Sequence, residues 1–396
     1  MDFALSEDQI ELQKWAHEFA EKEIRPVAAQ YDESEEFPWE VLKKAADAGL
    51  YSIDIYMQAQ QDPTGLTLPL LMEEIFWGCA GIGLAIFGTG LPLSALAAVG
   101  TSEQLFEWAP KMFGTPEDPK VGAFAVTEPQ AGSDVRNLRT KAKREGDDWV
   151  LNGQKVFITN GQYADVYVVV ATVDAELGHR GQAAFIVQRD DPGIRPGKKE
   201  KKLGIRASDT SEVLLEDCHI PGDRVLGGLE RLDEKLGKAR KGESSGRSSG
   251  ALRTFEMTRP AVGAQAVGIA RAALEYSIDY AKERKAFGVP IAQHQSIQNH
   301  LADMAMEIEC ARLLVHRAAW LAANGHPFNK AEGSMSKLKA GEVAVRVTEQ
   351  AVQILGGYGY IKDFPVEKWY RDSKIYTLFE GTSEIQRMVI ARALTS

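Results

Sequence analysis

The spacing of apolar residues changes twice along this chain, and that change restricts the possible folds more than any other feature of the sequence. Up to about residue 113 the apolar residues recur with the 3.6-residue period of an amphipathic helix, as at Leu12, Trp15 and Phe19. From about residue 121 to residue 226 they form short runs rich in Val, Ile and Phe, bounded by turn-forming residues. The helical period returns from Thr258. This order predicts helices, then a sheet, then a helical bundle.

The fold class expected from this order is α+β, with four segments. Residues 1–119 form an N-terminal helical domain, residues 120–228 a central antiparallel β domain, residues 229–250 a charged connecting segment rich in Ser and Gly, and residues 251–396 a C-terminal helical bundle. The predicted strands are residues 149–152, 155–159, 166–172, 183–188 and 211–217. One long helix is predicted to begin near Arg259 and Pro260. Further C-terminal helices are predicted for residues 295–323, 329–355, 365–376 and 383–394.

The composition argues against several classes of protein. The 396 residues carry a formal net charge of −10, whereas a nucleic-acid-binding protein needs a concentrated basic face. Cys79, Cys218 and Cys310 are odd in number and form no Cys-x-x-Cys, which indicates neither a disulfide framework nor a zinc site. The first residues lack the pattern of a signal peptide. We therefore expect a cytoplasmic protein.

Residues 75–100 carry no charge, so this stretch is long enough to span a bilayer. It also contains six glycines and Pro92, which favours two buried helices joined by a bend over a membrane span. The sequence contains no Walker A motif, no Gly-x-Gly-x-x-Gly after a strand, no His-Glu-x-x-His and no EF-hand loop. Its seven histidines show no metal-ligand spacing, so we expect no metal site.

Three short segments contain residues suited to chemistry. Residues 126–134 form a Gly/Ser/Asp turn whose amides and hydroxyls can hold a phosphate or the edge of a flavin, although a plain hairpin loop explains the same pattern. Residues 157–161 place an aromatic and a hydroxyl before an Asn-Gly turn, which is common in ordinary hairpins. In residues 379–386, Glu380 lies beside an aromatic residue and a helix start, where it is either a desolvated general base or a solvated loop residue.

Seven segments, taken together and in order, indicate a particular protein family far more specifically than any one segment does alone. They are residues 126–134, 151–161, 204–208, 258–260, 283–288, 353–357 and 379–387. On these segments the chain resembles the acyl-CoA dehydrogenase family over nearly its whole length. The resemblance implies the helical, sheet, helical fold with a C-terminal four-helix bundle, and FAD between the sheet and the bundle.

The resemblance also implies the residues that bind cofactor and substrate. The residues that match flavin contacts are Phe124, Val126, Thr127, Ser133, Phe157 and Thr159, with Thr159 expected near flavin N5. The residues that match contacts to the FAD of a neighbouring subunit are Arg284, Phe287, Gln295, Gln353 and Gly357, and the nucleotide site is completed by Thr382 and Glu384. The substrate contacts expected are Ser133, Gly83, Phe87, Phe255, Arg259 and Gly381. The active unit is then a homo-oligomer, at least a dimer, and a tetramer is common in the family.

The activity implied is the α,β-dehydrogenation of a saturated acyl-CoA to the trans-2-enoyl-CoA. Glu380 matches the residue that takes the α-proton while the β-hydrogen leaves as hydride to flavin N5. In the family the thioester oxygen is held by the backbone N–H of that glutamate and by a flavin hydroxyl. Some relatives place the base at the position of Thr258, which cannot act as one. Electron-transferring flavoprotein is the expected electron acceptor.

The chain departs from the family pattern in two segments. Residues 51–67 lack the usual Gly-Gly-x-Gly loop. Residues 229–250 are longer than usual and carry Lys235, Lys238, Arg240, Lys241 and Arg247. These basic residues either help hold the phosphates of CoA or form a solvated insert.

The helix at residues 81–87 matches the one that lines the acyl tunnel of the family. Gly83 is expected to open space there and Phe87 to close it, with no charge for a dicarboxylate. This favours an unbranched or modestly branched apolar acyl chain over glutaryl-CoA. The alternatives are an acyl-CoA oxidase or flavin monooxygenase on the same fold, a non-catalytic flavin-fold binding protein, and an enzyme for a carrier-bound thioester.

Overall fold

The computed structural model describes residues 4–243 and 250–395, except for the side chains of residues 250–257. Its N-terminal part is helical. The helices are α1 (Glu7–Phe19), α2 (Ala28–Ser34), α3 (Trp39–Asp47), α4 (Ile53–Gln61), α5 (Thr67–Gly78), α6 (Ala80–Phe87), α7 (Gly90–Val99) and α8 (Ser102–Phe113). A capping box begins α1, because the Ser6 hydroxyl accepts from the Gln9 amide at 3.2 Å while the Gln9 side chain accepts from the Ser6 amide at 3.1 Å.

The middle of the chain forms one twisted sheet. Its strands are β1 (Gly122–Ala125), β2 (Lys141–Glu145), β3 (Asp148–Thr159), β4 (Val166–Thr172), β5 (Gln182–Gln188), β6 (Ile194–Lys199) and β7 (Thr210–Ile220). They lie in the order β1-β4-β2-β3-β7-β6, and β5 also pairs with β4. The predicted runs 149–152 and 155–159 are parts of the single strand β3, whose pairing with β7 is interrupted by two register shifts.

The prediction of a purely antiparallel sheet is wrong at one edge. β1 runs parallel to β4, with Phe124 opposite Val168, and β2 meets β4 in a single parallel pairing of Lys141 with Thr172. The remaining strand pairs of the sheet are antiparallel. The chain leaves β1 and returns to β4 only after β2 and β3, and a connection of that length can reverse direction and pair two strands in parallel.

Both faces of the sheet are covered, so β4 is buried along its whole length. Its alternate residues Val166, Val168 and Val170 belong to the main core with the helices, whereas Tyr167 and Val169 belong to a second core. That second core is closed by α9 (Leu229–Arg240) through Leu232 and Leu236. A helix therefore occupies most of the segment that was predicted to be a Ser/Gly-rich connection. The Ser/Gly-rich end of that segment, residues 244–249, lies outside the described residues.

The C-terminal part is again helical and contains one small hairpin. Its elements are α10 (Gly250–Glu283), β8 (Lys285–Ala286), β9 (Val289–Pro290), α11 (Gln295–Ala323), α12 (Glu332–Leu355), α13 (Val366–Ser373) and α14 (Ser383–Thr395). The bounds of α11 match the prediction. The predicted start of the long helix at Arg259–Pro260 is wrong, because α10 begins at Gly250 and Pro260 lies inside it. Proline removes one helical hydrogen bond, and here the packing of α10 against α5, α7 and α12 maintains the helix through it.

The uncharged stretch 75–100 forms the end of α5, then α6 and α7, with a turn at Gly88 and Thr89. By length and composition alone, Ala80–Val99 is able to cross a membrane, but 72% of its apolar 18-residue stretch is buried inside the protein. Thr89 joins this stretch to the sheet, because its hydroxyl accepts a hydrogen bond from the Gly122 amide at 3.1 Å. The apolar helices are therefore core helices that meet the first strand.

Candidate active site

Glu380 lies in a tight turn between α13 and α14. Its backbone has φ 54° and that of Gly381 has φ 93°, so two successive residues adopt the left-handed conformation. The side chain is half-buried. Its Oε2 accepts a hydrogen bond from the Thr258 hydroxyl of α10 at 3.0 Å. The turn therefore directs the carboxylate toward α10.

The surroundings of Glu380 raise its pKa to about 7. Burial is the largest cause, because it disfavours the charged form. The hydrogen bond from Thr258 and the positive charges of Lys337 and Arg259 act in the opposite direction. A carboxyl group with a pKa near neutrality can exchange a proton with a carbon acid at physiological pH.

Three groups hold the turn from two helices. The Gln386 side chain donates from Nε2 to the carbonyl oxygens of Glu380 and Gly381, at 2.9 and 3.0 Å. Lys337 of α12 donates from Nζ to the Gly381 carbonyl at 2.8 Å. The Thr382 hydroxyl caps α14 by accepting from the Ile385 amide at 3.3 Å. Lys337 and Gln386 were not among the predicted site residues, although an inward-facing lysine in the apolar pattern of α12 is a usable signal.

Two predicted substrate contacts lie on α10. Arg259 is buried and donates from Nη1 to the Ser334 hydroxyl at 2.8 Å. It follows Thr258 directly, so α10 places both residues beside the Glu380 turn. The predicted contact Phe255 is in the part of α10 whose side chains lie outside the described residues.

A second group of predicted residues meets at the edge of the sheet. The Thr127 carbonyl accepts a hydrogen bond from the Val156 amide at 2.9 Å, which brings the segment after β1 against β3. Phe124 and Val126 are buried, and Thr127 and Thr159 are half-buried.

Phe157 points away from the core because β3 is irregular at this position. The register shift between Lys155 and Ile158 coincides with a φ of 57° at Phe157. Its ring is 64% exposed. An exposed aromatic ring beside two half-buried threonines forms a surface suited to a flat aromatic group that also accepts hydrogen bonds.

The loop that carries Ser133 is fixed by a buried carboxylate that sequence reasoning missed. Glu128 accepts hydrogen bonds from the Arg139 amide at 2.6 Å, the Thr140 amide at 2.9 Å and Lys155 Nζ at 2.8 Å. Burial alone acts to raise the pKa of Glu128, but Lys155 and these donors outweigh it and lower the pKa to about 2. Ser133 itself is exposed. The signal available in the sequence was a glutamate within a turn segment.

The expectation that Gly83 opens space in α6 is wrong. A Cβ atom on Gly83 would lie 2.8 Å from the ring of Phe76, so that ring already fills the space. Phe87 is buried, and its role in closing an acyl pocket stays a prediction. The end of α6 reaches the sheet, because a Cβ atom on Gly88 would lie 3.2 Å from the Thr159 methyl group. The predicted acyl helix and the predicted flavin edge are therefore neighbours.

The residues expected to meet a neighbouring subunit are exposed. Phe287 is 96% exposed, at a φ of 54° in the β8–β9 hairpin, and it packs only edge-on against His294 among the ring contacts of the described residues. Arg284 and Gly357 line one surface groove of about 420 Å³. Further exposed members of this set are Gln295 and Gln353. Glu384, which was predicted to complete the nucleotide site, is also exposed.

Three of the basic residues of the segment 229–250 have partners on the protein itself. Lys235 donates to the Gln182 carbonyl, Lys238 pairs with Glu234, and Arg240 pairs with Asp174 at 3.0 Å. These pairings favour the reading of a packed surface helix, and a role in holding CoA phosphates stays untested. Arg247 lies outside the described residues.

Comparison with known protein families agrees with this arrangement over almost the whole chain. The N-terminal domain of acyl-CoA dehydrogenase matches residues 6–115, the middle domain residues 123–218 and the C-terminal domain residues 249–395. The short-chain specific acyl-CoA dehydrogenase of Rattus norvegicus mitochondria is 42% identical over 388 residues, which are 96% of this chain and 88% of the relative. The chain belongs to the acyl-CoA dehydrogenase family.

Solved structures agree with the fold. Butyryl-CoA dehydrogenase from Megasphaera elsdenii has a TM-score of 0.88 and 37% identity, and each chain is covered completely. A chain from structural work on the electron transferring flavoprotein of Acidaminococcus fermentans has a TM-score of 0.88 and 38% identity, with 100% of this chain and 99% of that chain covered. The protein is thus an FAD-dependent oxidoreductase that acts on acyl-CoA thioesters.

Proposed function

We propose that this protein removes the α- and β-hydrogens of a saturated acyl-CoA to form the trans-2-enoyl-CoA, with Glu380 as the base. The observation that carries the proposal is the half-buried carboxylate with a pKa of about 7, which accepts a hydrogen bond from Thr258 and lies in a left-handed turn. An α-proton of a thioester is weakly acidic, so a base needs a raised pKa and exclusion of water to remove it. The pKa of Glu380 meets the first requirement.

The Thr258 hydroxyl and the Glu380 amide have different proposed roles. Thr258 orients the carboxylate through its hydrogen bond at 3.0 Å. The left-handed turn at Glu380 and Gly381 leaves the Glu380 amide outside the regular hydrogen bonding of α14, which begins at Ser383. That amide is the proposed donor to the thioester oxygen, whose negative charge grows as the proton leaves.

The residues present fit the FAD that the family binds. The proposed contacts from one subunit are Phe124, Val126, Thr127, Ser133, Phe157, Thr159, Thr382 and Glu384. The proposed contacts from the neighbouring subunit are Arg284, Phe287, Gln295, Gln353 and Gly357. When bound, FAD supplies the acceptor for the β-hydrogen, which leaves as hydride.

The substrate we propose is a short, apolar acyl-CoA. Phe76 fills the space beside Gly83, Phe87 is buried below it, and α6 carries no charged residue. A long chain or a second carboxylate has no complementary surface there. The names of the relatives, short-chain specific and butyryl-CoA dehydrogenase, support the same substrate class. Phe87, Phe255, Arg259, Ser133 and Gly381 are the proposed contacts.

We also propose the partners of the reaction. Electron-transferring flavoprotein is the proposed acceptor of electrons, supported by the similarity to the chain from Acidaminococcus fermentans. A dimer or tetramer is proposed because exposed Phe287 and Arg284 would complete the FAD site of another subunit. A cytoplasmic location is supported by the two buried free thiols of Cys79 and Cys218.

The test is an anaerobic titration of the purified yellow protein with saturated acyl-CoAs of increasing length, beside Glu380→Gln. We expect butyryl-CoA to bleach the flavin band at about 450 nm in the wild type. The variant, which keeps the size of the side chain but cannot accept the proton, should slow bleaching by roughly 10³-fold. Equal bleaching in both proteins would exclude Glu380 as the base.

The same titration in air separates the alternatives. Stoichiometric hydrogen peroxide with each turnover would identify an acyl-CoA oxidase, and an oxygenated product a monooxygenase. Bound FAD that no acyl-CoA bleaches, in either free or carrier-bound form, would identify a non-catalytic binding protein.

A further inference from the structure

Lys337 is a buried charged residue that has no role in the mechanism proposed above. It lies on the inner face of α12 and is 1% exposed. Burial of an ammonium group is costly unless its donors are satisfied. Lys337 donates from Nζ to the Gly381 carbonyl at 2.8 Å, directly after the base in the sequence. A lysine is therefore retained in the core at the one turn that presents Glu380.

We propose that Lys337 is a positioning residue that holds the Glu380 turn in its left-handed conformation and supplies positive charge beside the carboxylate. This inference rests on the proposed role of Glu380. Two successive left-handed residues are costly for a chain with a side chain at the first position. The turn persists because α12 anchors it through Lys337 while α14 anchors it through Gln386, on the same Gly381 carbonyl.

The charge of Lys337 has a separate effect from its hydrogen bond. The charged groups that interact with Glu380 and Lys337 are Arg259 from α10 and Glu384 from α14. Burial lowers the pKa of Lys337 to about 8, and Glu380 acts against that decrease. Lys337 thus remains a cation at neutral pH, and it opposes the effect of burial on the pKa of Glu380. Loss of the charge should raise the pKa of the base.

Two substitutions separate the anchor from the charge. Lys337→Met removes both, whereas Lys337→Gln removes the charge and keeps a side-chain N–H donor. The matched control is Lys339→Met, two residues along α12. Lys339 is more exposed than Lys337, and its Nζ forms an ion pair with Glu307 at 2.7 Å instead of contacting the turn. The measurements are hydrogen–deuterium exchange of the peptide covering residues 379–387, kcat and KM with butyryl-CoA, and the pH dependence of kcat/KM.

We expect Lys337→Met to speed exchange in residues 379–387 and to lower kcat about tenfold at neutral pH with little change in KM. The acidic limb of its kcat/KM profile should move to higher pH. Lys337→Gln should recover most of the exchange protection but show the same pH shift. Lys339→Met should match the wild type in all measurements.

Wild-type exchange and a wild-type pH profile in Lys337→Met would overturn the proposal. If Lys337→Met does not fold, Lys337→Gln decides, since an unchanged pH profile there overturns the role of the charge. A wild-type protein that fails to bleach with any acyl-CoA would refute the proposed function instead. The exchange measurement needs no turnover, so it would still decide whether Lys337 anchors the turn.

Discussion

Opposing effects act on the carboxylate of Glu380, and their balance sets the pH above which it is ionised. Burial raises its pKa, while the Thr258 hydroxyl, Lys337 and Arg259 stabilise the ionised form. The net result is a pKa of about 7, above the ordinary value of 4.5. A base must be ionised before it can accept a proton, so activity should increase as pH rises through this value.

The first prediction concerns this pH dependence. We expect kcat/KM for butyryl-CoA to rise with pH along an acidic limb with an apparent pKa near 7, which reports the free enzyme. Thr258→Val keeps the shape of the side chain but removes the hydroxyl donor, so the limb should move to higher pH. Steady-state kinetics from pH 5.5 to 9 would check both, and a limb unchanged in Thr258→Val would contradict the role assigned to that hydrogen bond.

The second prediction concerns the buried pair that holds the Ser133 loop. Lys155→Met leaves Glu128 buried without its cation, which should reduce the free energy of unfolding by about 3–5 kcal/mol. Lys143→Met is the control, because that lysine forms an exposed pair with Glu145 and its loss should change stability little. Urea unfolding of the three proteins at pH 7 measures the difference.

Acid should remove the same stabilisation from the wild type. The folded pKa of Glu128 is lowered to about 2 from its ordinary value of 4.5. Its contribution is therefore fully present above the unfolded pKa and is lost as pH falls from about 5 toward 2. Lys155→Met should show a smaller loss over this range, and an equal acid dependence would contradict the pairing.

At the scale of elements, the local sequence pattern determines some helices and strands, and tertiary contacts determine others. The strong 3.6-residue period of residues 295–323 predicted α11 with its observed bounds. Pro260 was read as a helix start, but neighbouring helices maintain α10 through it. β6 contains Pro196 and Gly197 and was missed, since strands with these residues occur at sheet edges where pairing rather than sequence pattern decides.

The third prediction belongs to α5 and α6. Phe76→Ala empties the space beside Gly83, so the preferred acyl chain should lengthen by about two to four carbons, at a cost of roughly 3–5 kcal/mol in unfolding free energy. Phe113→Ala removes another buried ring, which packs instead against Tyr51 and Tyr56. It should cost similar stability without changing the chain-length preference. Kinetics with butyryl-, hexanoyl- and octanoyl-CoA would test this, and an unchanged preference in Phe76→Ala would place the acyl chain elsewhere.

At the scale of the whole molecule, helices from both ends of the chain are joined around the sheet. Glu73 and Glu74 of α5 bind Arg271 of α10, and Glu73 also binds Arg312 of α11 at 2.9 Å. These buried pairs connect the N-terminal and C-terminal helices. A rigid framework of this kind can hold α6 and the Glu380 turn in a constant relation to the sheet edge.

The fourth prediction concerns assembly. Phe287→Ser should leave the folded monomer intact, because the ring is 96% exposed, but it should weaken the retention of FAD and the association of subunits. Phe106→Ser, at a ring that is 87% exposed on α8, is the control and should retain FAD. Size-exclusion chromatography with absorbance of the bound flavin measures both effects. Full FAD retention in Phe287→Ser would exclude it from the cofactor site.

The sequence by itself determined the order of helices and strands, the segments typical of the family, and Glu380 as the candidate base. These features depend on local period and on short motifs, which involve residues close together in the chain. The parallel pairing of β1 with β4, the helix α9 and the filling of the Gly83 space by Phe76 were decided only by tertiary packing.

The environment of the base is also a tertiary property. Thr258 and Glu380 are 122 residues apart in the chain, and Lys337 and Gly381 are 44 residues apart, yet both pairs are hydrogen-bonded. A pKa depends on the burial and charges that surround a group in three dimensions. Glu380 could therefore be proposed as the base from its motif, whereas the pKa of its carboxyl group and the hydrogen bond from Lys337 to its turn could be learned only from the packed structure.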